Sequence, residues 1–266
     1  MFEFRTATKA LLIGLVITPL LSSCGEAGEG DAVQVPEHIF LAVSNLYRSS
    51  DHRARDEGRK PDQILSFYGV EKGMSVYEIG AGSGYYTDLL SLSVGEQGQV
   101  FAQYSKERWN SAKADFSNRF SSRRNVVPYI GQRESLKLGD GSVDMVMVAL
   151  LWHHMHYEAD KGETFPLTTE VFLENSLRLL KPGGILAIIE HEAAPGTSRA
   201  QAAEWHRSPR QMTIDDIEAA GFEFIAASNV LENTNDDLEN SWRVEFDERD
   251  VSQRFVLKFK KPMASD

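Results

Sequence analysis

The sequence predicts an α/β protein with a doubly wound parallel sheet, and three observations carry that reading. The run Val76-Tyr77-Glu78-Ile79-Gly80-Ala81-Gly82-Ser83-Gly84-Tyr85 reads as a short buried strand, a glycine turn and a helix start. Apolar strand-like runs alternate with amphipathic helical ones along the chain, which calls for a parallel sheet with right-handed crossovers. Leu177 to Leu186 reads as a helix end, a Pro182-Gly183-Gly184 stop and a new strand.

Each element has a local reason. Pro36 to Tyr47 carries Ile39, Phe40, Val43, Leu46 and Tyr47 at helical spacing, which predicts a helix packed on the domain. Pro61 starts a helix through Tyr68. Strands are expected at Ser75–Ile79, Gln99–Gln103, Val126–Ile130, Val143–Leu150 and Ile185–Glu190. Helices are expected at Tyr85–Leu92, Lys106–Arg119 and Thr168–Leu179. Thr213 is read as the cap of a helix Ile214–Ala220 that Gly221 ends. Phe222–Ala227 and Val251–Lys260 read as the last strands.

The glycine turn points to a ligand. Glycines at alternate positions let the backbone approach a bound group with no Cβ in the way. The following helix presents free N–H groups and partial positive charge at its start. In open α/β sheets such turns sit at the carboxyl ends of the strands, where ligands bind. The spacing is G-x-G-x-G, not the G-x-G-x-x-G of dinucleotide folds. That spacing, with Tyr104 where a ribose-binding acid would stand, disfavours a nicotinamide-dependent oxidoreductase.

At Glu78–Gly84 and Arg178–Gly184 the chain resembles the class I S-adenosylmethionine-dependent methyltransferases. Leu136–Val148, with Asp140-Gly141-Ser142-Val143-Asp144, is similar to that family's fourth strand and the loop before it. More narrowly, Asp51–Pro61, Gly84-Tyr85-Tyr86-Thr87 and Arg254–Lys258 resemble a bacterial branch of exported methyltransferases. The resemblance implies a Rossmann-like sheet whose last strand runs antiparallel, with S-adenosylmethionine as cofactor. It implies a cofactor cradle of Glu78, Gly80, Ala81, Gly82 and Gly84, with Tyr104, Gln132 and Glu134 on the ribose and adenine side. Here the sequence departs from the family pattern, because Gln103-Tyr104 and Gln132 stand where acids are common.

The strand-four end, Trp152-His153-His154-Met155-His156, faces the methyl group in that family. His153, His154 and, after strand five, His191 are the catalytic candidates, as bases or donors toward an acceptor. Three histidines at i, i+1 and i+3 invite a metal reading, but that spacing does not converge off a strand end without a particular loop, and no metal is assigned. Trp205-His206-Arg207 is expected at the same mouth. The charged run Asp51–Arg59 reads either as a solvated helix face with i,i+4 pairs or as a lid whose Arg53 or Arg55 clamps an anionic group.

The chain has 266 residues, 42% hydrophobic and 25% charged, enough for one well-cored domain. A formal charge of -11 without a basic stripe argues against nucleic acid as a partner. Arg5 and Lys9, the apolar run Ala10–Leu21 and Leu21-Ser22-Ser23-Cys24 read as a lipoprotein-type signal peptide over 1–24. Cys24, the one cysteine, would carry the lipid, so no intrachain disulfide forms and no thiol serves the glycine fold. Residues 25–35 read as a tether, 36–68 as a helical extension or lid and 69–266 as the α/β domain. The expected address is the bacterial envelope, on the outer membrane facing the periplasm. The expected partner is a small or lipid-like methyl acceptor. The alternative is a methyltransferase-like binding protein without catalysis.

Overall fold

A computed structural model of the protein describes Met1 and residues 34–131, 138–156, 169–245 and 250–263. The strands are β1 (Ser75–Ile79), β2 (Gln99–Tyr104), β3 (Val126–Ile130), β4 (Val143–Ala149), β5 (Leu180–Ala193), β6 (Ser208–Pro209), β7 (Glu223–Ser228) and β8 (Arg254–Lys260). They form one sheet in the order β3-β2-β1-β4-β5-β8-β7, with the two-residue β6 paired to β5. Neighbours from β3 to β5 are parallel, whereas β8 runs antiparallel to both β5 and β7. The sheet is therefore the mostly parallel one expected, with its reversed last strand.

Alternation along the strands feeds two cores. Tyr77, Ile79, Val146, Val148, Leu186, Ile188 and Phe255 face one side. There they meet Phe172 and Leu173 of α7 (Thr169–Leu179) and Ile217 of α9 (Arg210–Ala219). Val76, Met145, Met147, Ala187 and Val256 face the other side. Their partners are α1 (Glu37–Val43), α4 (Pro61–Tyr68) and α5 (Tyr85–Val94). A third, smaller cluster joins Phe116 and Phe120 of α6 (Lys106–Phe120) to Ala102, Tyr104 and Val126.

Several element boundaries differ from the sequence reading. The first helix stops at Val43, leaving Phe40, Leu46 and Tyr47 exposed and only Ile39 and Val43 of the expected stripe packed on the core. The helix expected from Ile214 starts at Arg210, so Thr213 lies inside it. Its hydroxyl is used on Pro209 O and Ser208 Oγ. Strand β5 begins at Leu180, five residues early, because Leu180 already pairs with Val143 before an irregularity in register. No described helix is long and apolar enough to cross a membrane. The expected signal peptide and lipidated Cys24 lie outside the described residues.

The charged run 51–59 is neither a solvated helix face nor a free clamp. It breaks into α2 (Ser50–Arg53) and α3 (Asp56–Arg59); Arg55 and Arg59 turn inward, while Arg53 stays exposed. Arg48 pairs with Asp56 through two hydrogen bonds of 2.7 and 2.8 Å, and Tyr85 OH donates to the same carboxylate. Arg55 and Arg59 both pair with Asp250 at 2.7 and 2.8 Å. The Arg59 guanidinium lies 4.5 Å over the Tyr85 ring, a cation–π contact. Such desolvated pairs hold only as complete sets, since removing one charge strands the others.

This network binds the N-terminal segment to the start of α5. Asp250→Asn keeps the side-chain shape and tolerates the left-handed backbone at this position (φ 63°), but removes the countercharge of two arginines. We expect a loss of about 3 kcal/mol, read as a melting-temperature drop on the order of 10 °C. Arg53→Ala, at an exposed position, should change stability by less than about 0.5 kcal/mol.

Candidate active site

The carboxyl ends of β1, β4 and β5 lie side by side, with Ile79 paired to Val148 and Ala149 to Ile189. The loops that leave them form one rim, the place where open α/β sheets bind ligands.

Gly80, the first residue after β1, has φ 63°, a region that L side chains rarely adopt. A Cβ there would also lie 2.5 Å from Leu151 Cδ2, so the β1 loop and the β4 loop touch at this glycine. At Gly82 (φ 59°) a Cβ would meet nothing closer than 3.7 Å, which leaves a shallow open cradle above the turn. Ala81 N donates to Gln103 O and Gly84 N to Ala81 O, which close the loop. Gly84 caps α5 without any side-chain bond, so the helix start keeps donors for a ligand. The Gln103 amide fixes the loop from the side. Its Oε1 accepts from Gly80 N at 2.9 Å, and its Nε2 donates to Gly131 O at 2.8 Å.

Glu78 lies beneath this loop. Alternation along β1 turns it toward α5, where Thr87 Oγ1 donates to its carboxylate at 2.5 Å. Burial pushes its carboxyl up to about 8, against the Thr87 bonds that favour the anion. A buried acid under an open glycine turn suits a cationic group such as the ammonium of an amino acid. The residues present therefore fit the amino-acid end of S-adenosylmethionine.

The ribose side is differently made. The Tyr104 ring is buried between Trp109 and Phe116, at centroid distances of 5.4 and 5.9 Å. Gln103 is committed to the loop. Gln132 and Glu134 lie outside the described residues. On the opposite flank Arg119 donates to Ser83 O at 2.6 Å and also contacts the ring of buried His52. Burial and the neighbouring Arg119 push that imidazole down to about 4, so it stays neutral. The sequence held no signal for the Arg119–His52–Ser83 contact, which joins residues 36 and 67 positions apart.

The histidines divide into separate roles. A short 3-10 turn, Trp152–His156, follows β4. His153 Nδ1 lies 3.0 Å from Oε1 of the fully buried Glu190, whose Oε2 accepts from His153 N at 3.0 Å. His154 packs against it at a ring-centroid distance of 4.3 Å, and His206 from the end of α8 (Arg199–Trp205) joins at 5.1 Å. His156 turns away to Ser208 Oγ at 2.8 Å, and burial pushes it down to about 4. His191 is buried, stacks on Trp242 at 4.5 Å and bonds Ser252 Oγ through Nδ1 at 2.7 Å. Burial holds it well below the usual imidazole value. Of the three catalytic candidates, His153 and His154 adjoin each other on the rim, while His191 is committed to packing. Arg207, expected at the same mouth as His206, is fully buried on Asp236, Glu192 O and Asn240 O.

Residues 77–188 match the family model described as a methyltransferase domain. A search of curated proteins finds no match. Among solved structures, the chain is similar to an S-adenosylmethionine-dependent methyltransferase from Aquifex aeolicus. Identity is 23%, the TM-score is 0.56, and 78% of this chain and 92% of that one are covered. It is also similar to an arsenic(III) S-adenosylmethionine methyltransferase from Chlamydomonas reinhardtii, at 16% identity and TM-score 0.54, covering 86% and 74%. A third match is a (4+2)-cyclase, at 18% identity and TM-score 0.56, covering 83% and 86%. These likenesses establish the fold. Together with the family model over residues 77–188, they give the central part of the chain the fold of a methyltransferase domain.

Glu78 yields a pH test. Its carboxyl ionises near 4.5 in an unfolded chain and near 8 in the folded one. Between these values the folded state holds a proton that the unfolded state lacks, so this group costs stability as pH rises. Glu78→Gln still accepts from Thr87 and cannot ionise. Its stability relative to the parent should rise steadily from about pH 4.5 to about pH 8. A flat difference in parallel melts would mean that Glu78 is already ionised in the fold.

Proposed function

We propose that the protein transfers a methyl group from S-adenosylmethionine to a small or lipid-like acceptor in the bacterial envelope, held there by a lipid on Cys24. The observation that carries the catalytic part is the open turn at Gly82 above the buried Glu78, inside a methyltransferase domain. When bound, the cofactor supplies a methyl carbon activated by a sulfonium. The protein's part is to orient, to exclude water and to manage one proton. Glu78 balances the ammonium, and the Gly80–Gly82 backbone admits close approach. Leu151, against Gly80, shields the inner side of the cradle. Where the acceptor carries a proton that must leave, His153 and His154 on the rim are the groups in place to take it. The Cys24 anchor rests on the sequence pattern of residues 1–24 alone.

A second reading is a methyltransferase-like binding protein without turnover. It is favoured by the ribose side, where Gln103 is committed to the loop and Tyr104 to an aromatic cluster. The fold itself hosts other chemistry, as the cyclase illustrates.

Calorimetric titration with S-adenosylmethionine and its demethylated product separates the two. Micromolar binding of both, lost in Gly82→Leu, is expected, because the side chain would fill the cradle and strain a left-handed backbone. Binding followed by turnover of the cofactor with any acceptor excludes the second reading; absence of binding by the folded protein excludes the first. Mass spectrometry of the envelope-extracted protein tests the anchor. A diacylated peptide beginning at Cys24 is expected, and an unmodified Cys24 would refute it.

A further inference from the structure

The three-imidazole cluster on the rim has features that neither packing nor methyl transfer requires. Candidate ligand nitrogens of His153, His154 and His206 all lie within 4.8 Å of one another. The rings stand at 40°, 86° and 68° to each other, with centroids 4.3, 5.1 and 5.7 Å apart. Two are tilted against each other and the third meets both edge-on, an arrangement that keeps one nitrogen of each within reach of a common point. Three imidazole ligands at 2.0–2.1 Å from a tetrahedral ion lie roughly 3.3 Å apart, which small ring rotations reach from here.

We propose that His153, His154 and His206 form a binding site for a divalent transition-metal ion, zinc by ligand chemistry, with one coordination position open.

A second observation supports the site independently. Glu190 is fully buried and pairs with His153 Nδ1 at 3.0 Å, while His153 N and His191 N donate to its oxygens at 3.0 and 2.7 Å. No lysine or arginine pairs with it among the described residues. A carboxylate on the far nitrogen of a ligand histidine is the usual outer support of a zinc site; it orients the ring and raises its basicity. A cation beyond the ring would also supply the countercharge that a buried carboxylate otherwise lacks. Neither buried ring nitrogen of His153 has a hydrogen-bond partner among the described residues: Nδ1 lies within ion-pair distance of Glu190, and Nε2 is on the other side of the ring. Neutral nitrogen donors without thiolates suit zinc better than calcium or magnesium, which take oxygen.

The backbone serves the same convergence. His206 ends α8 in the left-handed region at φ 54°, and Leu150, which leads into the 3-10 turn, has φ 57°. Both are non-glycine residues in a conformation that carries a cost, and both aim a histidine-bearing segment at the cluster. His156, which the sequence groups with the other two, takes no part because Ser208 and Arg199 hold it.

The open position lies on the rim proposed above for the acceptor, so the link to methyl transfer rests on that reading; the site itself does not. At His153 Nε2, metal ligation and proton uptake exclude one another.

The test uses the full untagged chain, stripped with a chelator and titrated with cobalt(II) and then zinc(II). One equivalent of cobalt with the visible bands of a four-coordinate site of three nitrogens and one water is expected, displaced by one equivalent of zinc. His154→Ala and His206→Ala should each weaken zinc binding at least tenfold, while His156→Ala should retain the full equivalent. The absence of stoichiometric metal in the folded parent overturns the proposal, whatever the variants do. So does equal binding by the parent and both cluster variants. Titration of the same samples with S-adenosylmethionine keeps the two readings apart. Metal without cofactor leaves this site standing and removes the methyltransferase reading; cofactor without metal does the reverse.

Discussion

The structure depends on a backbone that must turn through left-handed conformations directly after a buried strand. Residues 80–84 do so at Gly80, Gly82 and Gly84. A turn of this kind leaves amides that need partners, and the protein supplies them from the neighbouring strand. Gln103 accepts from Gly80 N and Ala81 N reaches Gln103 O. Strand β2 therefore does more than extend the sheet, because it holds the loop in the shape that makes a cradle. The same commitment explains the unusual ribose side. The Gln103 amide bridges Gly80 and Gly131, which fixes it in the loop with one donor and one acceptor bond already used.

The buried arginine and aspartate network is the second consequence of that turn. Gly84 starts α5 without a side-chain cap, and the first residues of the helix are tyrosines. The segment 48–59 packs against them through Asp56 on the Tyr85 hydroxyl and Arg59 over its ring. Asp250, from just before β8, closes the network by pairing with Arg55 and Arg59. Gly58 permits this, since a Cβ there would lie 2.7 Å from Asp250 O. Residues 48–59 and Asp250 thus meet at the helix that follows the glycine loop. Desolvated charges add little net stability as a set, but they tolerate no alternative arrangement.

The rim joins two kinds of polar group. Glu78 is a buried acid held partly neutral by its surroundings, suited to a cation that arrives with a ligand. The histidines are nitrogen donors assembled from two segments, supported by a second buried acid, Glu190. Both acids lie toward the carboxyl ends of strands of the same sheet, Glu78 in β1 and Glu190 in β5, and each accepts hydrogen bonds that orient it. The fold therefore offers a place for a cationic ligand and a cluster of nitrogen donors on neighbouring loops.

The sequence by itself determined the sheet, its crossovers and the glycine loop. These follow from local patterns: apolar runs bounded by glycine and proline, and the alternation of strand and helix. It also singled out Glu78, His153 and His154, because each lies within a few residues of a recognisable strand end. Only the tertiary structure decided which histidines meet. His153 and His154 find His206, some fifty residues away, while His156, two residues from His154, turns to Ser208. It likewise turned Arg55, Asp56 and Arg59 of the charged run inward, where periodicity allowed a solvated face. The reason is physical: helix and strand periods record which side of an element is buried, but pairing between loops depends on where the sheet's register brings their ends.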